Sequence, residues 1–357
     1  MVPISGIVTH LMPDLDAALC VWLLKRFGTE RFPGIDSVPV SFFPAGRLPG
    51  GRTADALEAE EGILAVDTGQ GRFDTHAPSG VLRDDPGRVC AADLVARELG
   101  VDSDPTLKRL LDFVRLQDLE GRSIATSDPM IHLVALPNIV RGLNLLYPRE
   151  PERVIDRICD LFDAIHETEK AWVRALEDVK KARTIRVRRD ALLMALRSSS
   201  GVAGRAARRM GSDLLIHQDG AGNIGITLRR HGPLKSIRFG PLAALLRVVE
   251  ASLRKEKPDW ARIDHVGTVQ TWYLHDSGRI LCQGSPKKPT RDPSRIPLDA
   301  ILELTASRLD RRHEPPAIIC ERRRDPSFSC AACPIERLQM TSCKAFRLST
   351  NNAPKNI

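Results

Sequence analysis

Aromatic residues are scarce in this chain. Of its 357 positions, 4% are Phe, Trp or Tyr, with four tryptophans and two tyrosines. Proteins that hold single-stranded nucleic acid by stacking successive bases need aromatic platforms. A surface built mainly on ring stacking is therefore excluded, and Trp260, Trp272 and Tyr273 are left as the few candidates. Long apolar runs are lacking too: no stretch reaches the roughly 18 residues of a membrane span. The start MVPISGIVTH has no basic segment followed by an apolar core and a cleavage site. The expected location is cytoplasmic, with no membrane partner. No internal repeat or long low-complexity tract is present, which argues against repeat architectures.

What the chain does have is enough length and apolar content (42%) for two domains with real cores. Its net charge of +8 conceals an asymmetry, since residues 1–183 carry a net −7 and residues 184–357 a net +15. An acidic half suited to cations joined to a basic half suited to anions points to phosphate-bearing substrates, of which nucleic acid is the commonest. The eight cysteines are uneven: Cys20, Cys90, Cys159 and Cys282 stand singly, whereas Cys320, Cys330, Cys333 and Cys343 fall within 24 residues.

In the first third, strand-like and helix-like segments alternate. ISGIVTHL, DSVPVSFF and EGILAVDTG read as strands, and DAALCVWLLKRFG, CAADLVARELG and DPTLKRLLDFVRLQDLEG as helices stopped by Gly28, Gly100 and Gly121. This is an α/β pattern with a parallel sheet, whose ligands gather at the carboxyl ends of the strands. The helical spacing from PREPERVIDRICD onward runs for about thirty residues, a length suited to a linker. Beyond it, TIRVRRDALLMAL, SDLLIHQDG, NIGITLRR and VGTVQTWYLHDSGRILCQG read as strands around the helix PLAALLRVVEASLRKEK. The expected organisation is a domain over 1–150, a linker helix over 151–183, a smaller basic α+β domain over 184–315, a four-cysteine module over 316–348 and a frayed tail over 349–357.

The stretch THLMPDLDA places His10, Asp14 and Asp16 in a tight turn after a strand, and Asp67 ends another strand in GILAVDTG. Charged groups seldom lie buried in such places unless paired or bound to a metal. Oxygen ligands with one imidazole and no thiolate suit Mn²⁺ or Mg²⁺ better than a structural zinc. Two such ions about 4 Å apart, sharing a carboxylate, would activate water and stabilise both oxygens of a phosphoryl transfer.

In order along the chain, THLMPDLDA, VDTG and FDTH resemble the first three motifs of the DHH phosphoesterase superfamily, with the melanocyte proliferating gene product (MYG) branch as the nearest pattern. RLQDLEG resembles the fourth motif through Asp118, and LPNIVRGLNLLYP a further branch segment through Arg141 and Asn144. The resemblance covers residues 4–182. It implies one ion held by His10, Asp14 and Asp67 and a second held by Asp16, Asp67 and Asp118, with Asp67 bridging. It further implies that His76 faces the substrate phosphate and Asp74 orients the motif, giving a catalytic set of His76, Asp74 and Asp67. The chain departs from the family at Thr75, where DHH has its first histidine; a hydroxyl is the poorer ligand for the second ion. Two readings follow. In one, the chain hydrolyses phosphodiesters, as an exonuclease on short or single-stranded nucleic acid or as a hydrolase of small nucleotides or pyrophosphate. In the other, it binds nucleic acid on the same fold without turnover.

In the basic half, SSSGVAGRAARRMGSD and NIGITLRRHGPLKSIRFG gather Arg205, Arg208, Arg209, Arg229 and Arg230 with His231, Lys235 and Arg238 among glycines and small residues. Such a mixture lets amides and guanidinium groups approach phosphates together, so these arginines are the expected substrate-binding residues. The glycine-rich GGGH segment of related exonucleases is absent. At the end, C-x9-C-x2-C-x9-C predicts a structural metal on Cys320, Cys330, Cys333 and Cys343. Four thiolates suit Zn²⁺, and Cys333-Pro334 resembles the CxxCP of iron–sulfur modules, so zinc and a 4Fe-4S cluster are both carried forward. Nothing in the sequence fixes an oligomeric state.

Overall fold

The computed structural model describes residues 2–76, 89–121, 129–316, 320, 329–333 and 335–344. The chain divides into two compact units, Met1–Lys170 and Ala171–Ile357.

The first unit is α/β. Its sheet has three parallel strands in the order β2-β1-β3, namely β1 (Gly6–His10), β2 (Val40–Phe43) and β3 (Ile63–Ala65). Between them lie α1 (Leu15–Phe27) and α2 (Ala54–Glu61), followed by α3 (Ala91–Glu98), α4 (Lys108–Glu120), α5 (Pro129–Leu133), α6 (Leu136–Leu146) and the first part of α7 (Pro151–Lys180). Successive strand residues face opposite ways. Ile7 and Leu64 thus join the core formed with α1, α3 and α4, while Val8 and Ala65 pack with Leu48, Ala54 and Leu57 on the α2 side. With both faces covered, the strands read as unbroken apolar runs. Asp14 caps α1 by accepting from the amides of Asp16 and Ala17, at 3.0 and 3.1 Å. Gly121, at φ 60°, ends α4 in the left-handed conformation that glycine adopts without penalty.

The second unit holds a seven-stranded mixed sheet in the order β4-β5-β6-β7-β10-β9-β8. Its elements are β4 (Arg183–Val187), β5 (Ala191–Arg197), α8 (Ala203–Arg209), β6 (Leu214–Gln218), β7 (Ile224–Leu228), α9 (Gly240–Arg254), β8 (Gly267–Val269), β9 (Trp272–Leu274), β10 (Ile280–Gln283) and α10 (Leu298–Leu309). Only β5 and β6 pair in parallel, across α8. Leu193, Ala195, Leu214 and Ile216 face α9 and α10; Met194, Leu196 and Leu215 face α8 and Ala175 and Val179 of α7.

Several expectations change. The second unit carries the larger sheet, seven strands against three, and the described part of residues 75–150 is helical and adds no strand to the first sheet. The glycine-rich basic stretch 198–213 contains a helix, because Ala203, Ala206 and Ala207 repeat at helical spacing and are fully buried. Trp272 is no stacking platform: it is completely buried in the second core. The cysteine-rich end forms no core of its own among the described residues; Ile335 and Met340 insert into that same core, with Cys333 and Cys343 packed beside them. The expected frayed tail, 349–357, lies outside the described residues.

Candidate metal centre

Because β1 and β3 are parallel neighbours, the residues that follow them emerge at one edge of the sheet. His10 ends β1, and Asp67 follows β3 two residues on. Both turns are held in backbone conformations that side chains seldom adopt: Met12 at φ 56°, Asp67 at 51° and Gln70 at 58°. Asp is among the residues that tolerate this region best, and such outliers concentrate at functional sites. Two glycines allow the second turn. At Gly69 (φ 76°) a Cβ would meet Leu48 Cδ1 at 2.4 Å, and at Gly71 one would meet Ala54 Cβ at 2.4 Å. The turn closes through the Asp67 amide, which donates to Phe73 O at 2.8 Å, and through Asp74, whose Oδ2 accepts from the Gln70 amide at 2.7 Å.

The turns bring His10, Asp14 and Asp67 together, one ligand atom from each within 4.8 Å of the others. His10 Nε2 lies 3.2 Å from Asp67 Oδ2 and 4.0 Å from Asp14 Oδ1. Ligand atoms around a hexacoordinate ion at about 2.1 Å stand about 3 to 4 Å apart, so these separations fit a first-row or magnesium ion. Asp67, Asp74 and His76 form a second such group that shares Asp67. Asp67 is 5% exposed, and its Oδ1 is buried without a hydrogen bond, with His76 Nδ1 at 3.6 Å. A buried carboxylate oxygen lacking a donor is costly. Such an oxygen could take a cation as its partner.

The electrostatics say the same. Burial raises the Asp67 carboxyl, and the charge of Asp14 adds to this, against the opposing pull of His10 and His76. Burial works against the His10 imidazolium, yet its hydrogen bonds to Asp67 and to Leu11 O and the two carboxylate charges outweigh it, so its pKa is pushed up to about 9. In the metal-free protein the His10 proton stands where a cation would. A folded-state value above the ordinary 6.5 means that the native state binds the extra proton between those two values. That contribution to stability is complete below pH 6.5 and is lost as pH rises through 9. The thermal midpoint of the chelator-treated protein is therefore expected to fall across this window, and His10→Gln to flatten the fall. Mn²⁺ affinity should run the opposite way, rising with pH, because the proton must leave before the imidazole can ligate. Titration calorimetry in two buffers would count that proton.

His76 is exposed at its ring, with Nδ1 3.0 Å from Asp74 Oδ1. Asp74 Oδ1 also accepts from the His76 amide at 2.8 Å, so Asp74 fixes both the turn and the ring. Desolvation lowers the His76 pKa, but the charge of Asp67 and the bond to Asp74 prevail and raise it.

Asp16 and Asp118 are placed differently. Asp16 is 1% exposed, and its two oxygens accept from the amides of Ala91 and Ala92 at 2.8 and 2.9 Å, anchoring the start of α3. Among the described residues, neither Asp16 nor Asp118 joins a group of three ligand atoms. Both instead line a cleft of about 350 Å³ beside the metal group, formed by the turn after β1, α4 and α6. Asp14 belongs to both. Burial pushes Asp118 up to about 6, with the charges of Asp67 and Asp14 adding to it. Arg141 and Asn144 line the same cleft. Asn144 Nδ2 donates to Pro13 O at 3.0 Å and so ties α6 to the site turn, a positioning role; Arg141 is exposed. The sequence reading passed over Gln117, which lines the cleft and whose Oε1 is buried without a hydrogen bond. Its position next to Asp118 in RLQDLEG was the available signal.

Among the basic residues, Arg205, Arg209, Arg229 and Arg230 are exposed. Arg208 is turned into the fold: Nη1 donates to Ser212 O at 2.9 Å and Nη2 to Thr227 O and Oγ1, both at 2.8 Å, and burial pushes its pKa down to about 10. Its guanidinium is engaged by the second unit's own backbone. The tail cysteines form no disulfide, and among the described residues no three of their thiols come within ligand range of one another. Residues 317–319, 321–328 and 334 of that segment lie outside the description.

No protein-family model matches the chain, and no curated protein does. Among solved structures, the chain is similar to an uncharacterized protein from Helicobacter pylori G27 at 10% identity, over 82% of this chain and 94% of that one, with a TM-score of 0.23. A likeness at that score carries no argument, so the functional reading rests on the site itself.

Proposed function

We propose that the protein is a metal-dependent phosphodiester hydrolase of the DHH kind, acting on the end of a short or single-stranded nucleic acid. One observation carries this reading: the buried Asp67 Oδ1, without a donor, between His10 and His76 in strained backbone. His10, Asp14 and Asp67 would hold the ion. A bound Mn²⁺ or Mg²⁺ supplies a water acidic enough to attack near neutral pH and positive charge to balance the phosphate.

The chain's own groups do the rest. Asp74 holds the His76 ring by Nδ1, leaving Nε2 free to donate to a phosphate oxygen, and the neighbouring carboxylates raise its pKa and so favour its charged form. Arg141, exposed on the cleft, offers a guanidinium to the flanking phosphate. Asp118, with its carboxyl raised to about 6, is mostly ionised near neutral pH and can take up a proton in the cleft. The engaged oxygens of Asp16 and the hydroxyl at Thr75 favour one ion over two. Arg205, Arg229 and Arg230 of the second unit would grip the strand backbone, and the four-cysteine tail, on its spacing, would hold Zn²⁺ or a 4Fe-4S cluster.

The test is Mn²⁺-dependent shortening of end-labelled RNA and DNA oligomers, with Asp14→Ala as control and manganese, zinc and iron determined on the same sample. Ladder-like products that the control lacks are expected. Oligomer binding without any cleavage would instead favour the reading as a binding protein on the same fold.

A further inference from the structure

On the second unit, Arg186, Val187, Arg189, Asp190, Arg312 and His313 line a groove of about 430 Å³. It lies where the turn 188–190, between β4 and β5, meets the segment that follows α10. Asp310 ties these two segments together: its buried carboxylate accepts from the Arg312 amide at 3.0 Å and from the Arg188 amide. His313 Nε2 adds a bond to Arg186 O at 2.9 Å. Residues 186–190 and 310–313 carry a net +3 with the imidazole neutral.

Arg208 and Arg247 turn their guanidinium groups into the fold. The arginines of the groove do not. Arg312 lies against Asp310, with Nε donating to Oδ2 at 3.0 Å and Nη2 at 2.6 Å. Arg186 is held through Nη1, which donates to Asp190 O and Oδ2 at 3.1 and 2.9 Å. Their side chains are 69% and 61% exposed, so each carboxylate fixes one edge of a guanidinium and leaves the rest open to a ligand. Oriented forks of this kind match a phosphate group. Asp190, the one carboxylate lining the groove, is already bound to Arg186. Arg189 is exposed and has no ion pair among the described residues. It stands at φ 59°, before Asp190 at 55°. Asp tolerates this region, but an arginine there costs more than a glycine would. Such strain collects at ligand clamps. No aromatic residue lines the groove, which offers bases nothing to stack on.

Resting on nucleic acid as the partner, we propose that this groove grips a phosphodiester of the strand backbone, with Arg186, Arg189 and Arg312 as its donors and without regard to base sequence.

The test is fluorescence anisotropy of a labelled single-stranded oligomer with the full-length protein, without added metal and over a range of NaCl concentrations. Arg189→Gln should weaken binding about 3-fold or more near 0.1 M salt and reduce the slope of log K against log salt by about 0.7, the value for one single-strand phosphate contact. Arg291→Gln, which removes the same charge at an exposed position outside the groove, should change both by less. Arg189→Gly should lose the same affinity yet keep or raise the thermal midpoint, because glycine adopts that φ freely. Equal effects of Arg189→Gln and Arg291→Gln overturn the proposal. So does an Arg189→Gln protein that binds the oligomer normally but has lost binding of inorganic phosphate or polyglutamate, which would make the groove a site for a free anion or an acidic peptide. If the oligomer is bound and cut while the groove variants bind it normally, the groove alone fails. If the unaltered protein binds no oligomer, the nucleic-acid reading fails and takes this proposal with it.

Discussion

Asp67→Asn is expected to lower Mn²⁺-dependent hydrolysis by about 1,000-fold or more and to abolish the rise in thermal midpoint that Mn²⁺ produces in the unaltered protein. Asparagine has the same shape and tolerates the φ of 51° at this position, so the turn survives. What disappears is the charge shared by both candidate ligand groups. His10 loses its strongest partner, and its pKa should return toward the ordinary value, removing most of the pH dependence of the metal-free melt. The thermal readout separates ligation from catalysis. If the asparagine variant kept its Mn²⁺-induced shift, Asp67 would not be a ligand, whatever happened to the activity.

The second large effect belongs to stability. Arg247, on α9, is fully buried, and its guanidinium donates to four backbone carbonyls: Ile263 at 2.8 Å, His265 at 2.9 Å, Gly267 at 3.0 Å and Trp272 at 3.0 Å. Burial pushes its pKa down to about 10, which still leaves it charged at neutral pH. Two of these carbonyls precede β8, and the other two belong to the first residues of β8 and β9. Arg247→Met keeps the apolar stem and removes every donor, at an expected cost of about 4 kcal/mol or more, since each buried acceptor left unpaired costs about 1 to 3 kcal/mol. Against total stabilities of about 5–15 kcal/mol this is a large share. Urea denaturation of the second unit's signal, followed through Trp260 and Trp272, would measure it. A loss under about 1 kcal/mol would mean that water replaces the guanidinium and that the segment is not pinned by it.

Where sequence and structure part company, the reason is nearly always a partner far away in the chain. The strand ends at His10 and Asp67 were legible because strict apolar runs followed by polar turns mark strand termini, and the parallel pairing of β1 with β3 then forces convergence. Asp16 was read as a ligand because it sits two residues from Asp14. Only the packing of α3 against α1 turns its carboxylate to Ala91 and Ala92, 75 residues on. Arg208 looked like its neighbours in RAARR, yet its place on α8 directs it to β7. Trp272 carried no sign in its own neighbourhood that a seven-stranded sheet would bury it.

The sequence by itself determined the α/β character of the first unit, the acidic turns and the charge asymmetry of the two halves, because apolar period, glycine placement and charge are properties of short stretches. The tertiary structure alone decided which carboxylates stay available. Amides brought near by folding engage Asp16 and amides of its own turn engage Asp74, whereas Asp67 keeps an oxygen with no donor. In the folded chain, burial raises the Asp118 carboxyl, while the hydrogen bonds to Asp67 and Leu11 hold the proton on His10 against burial.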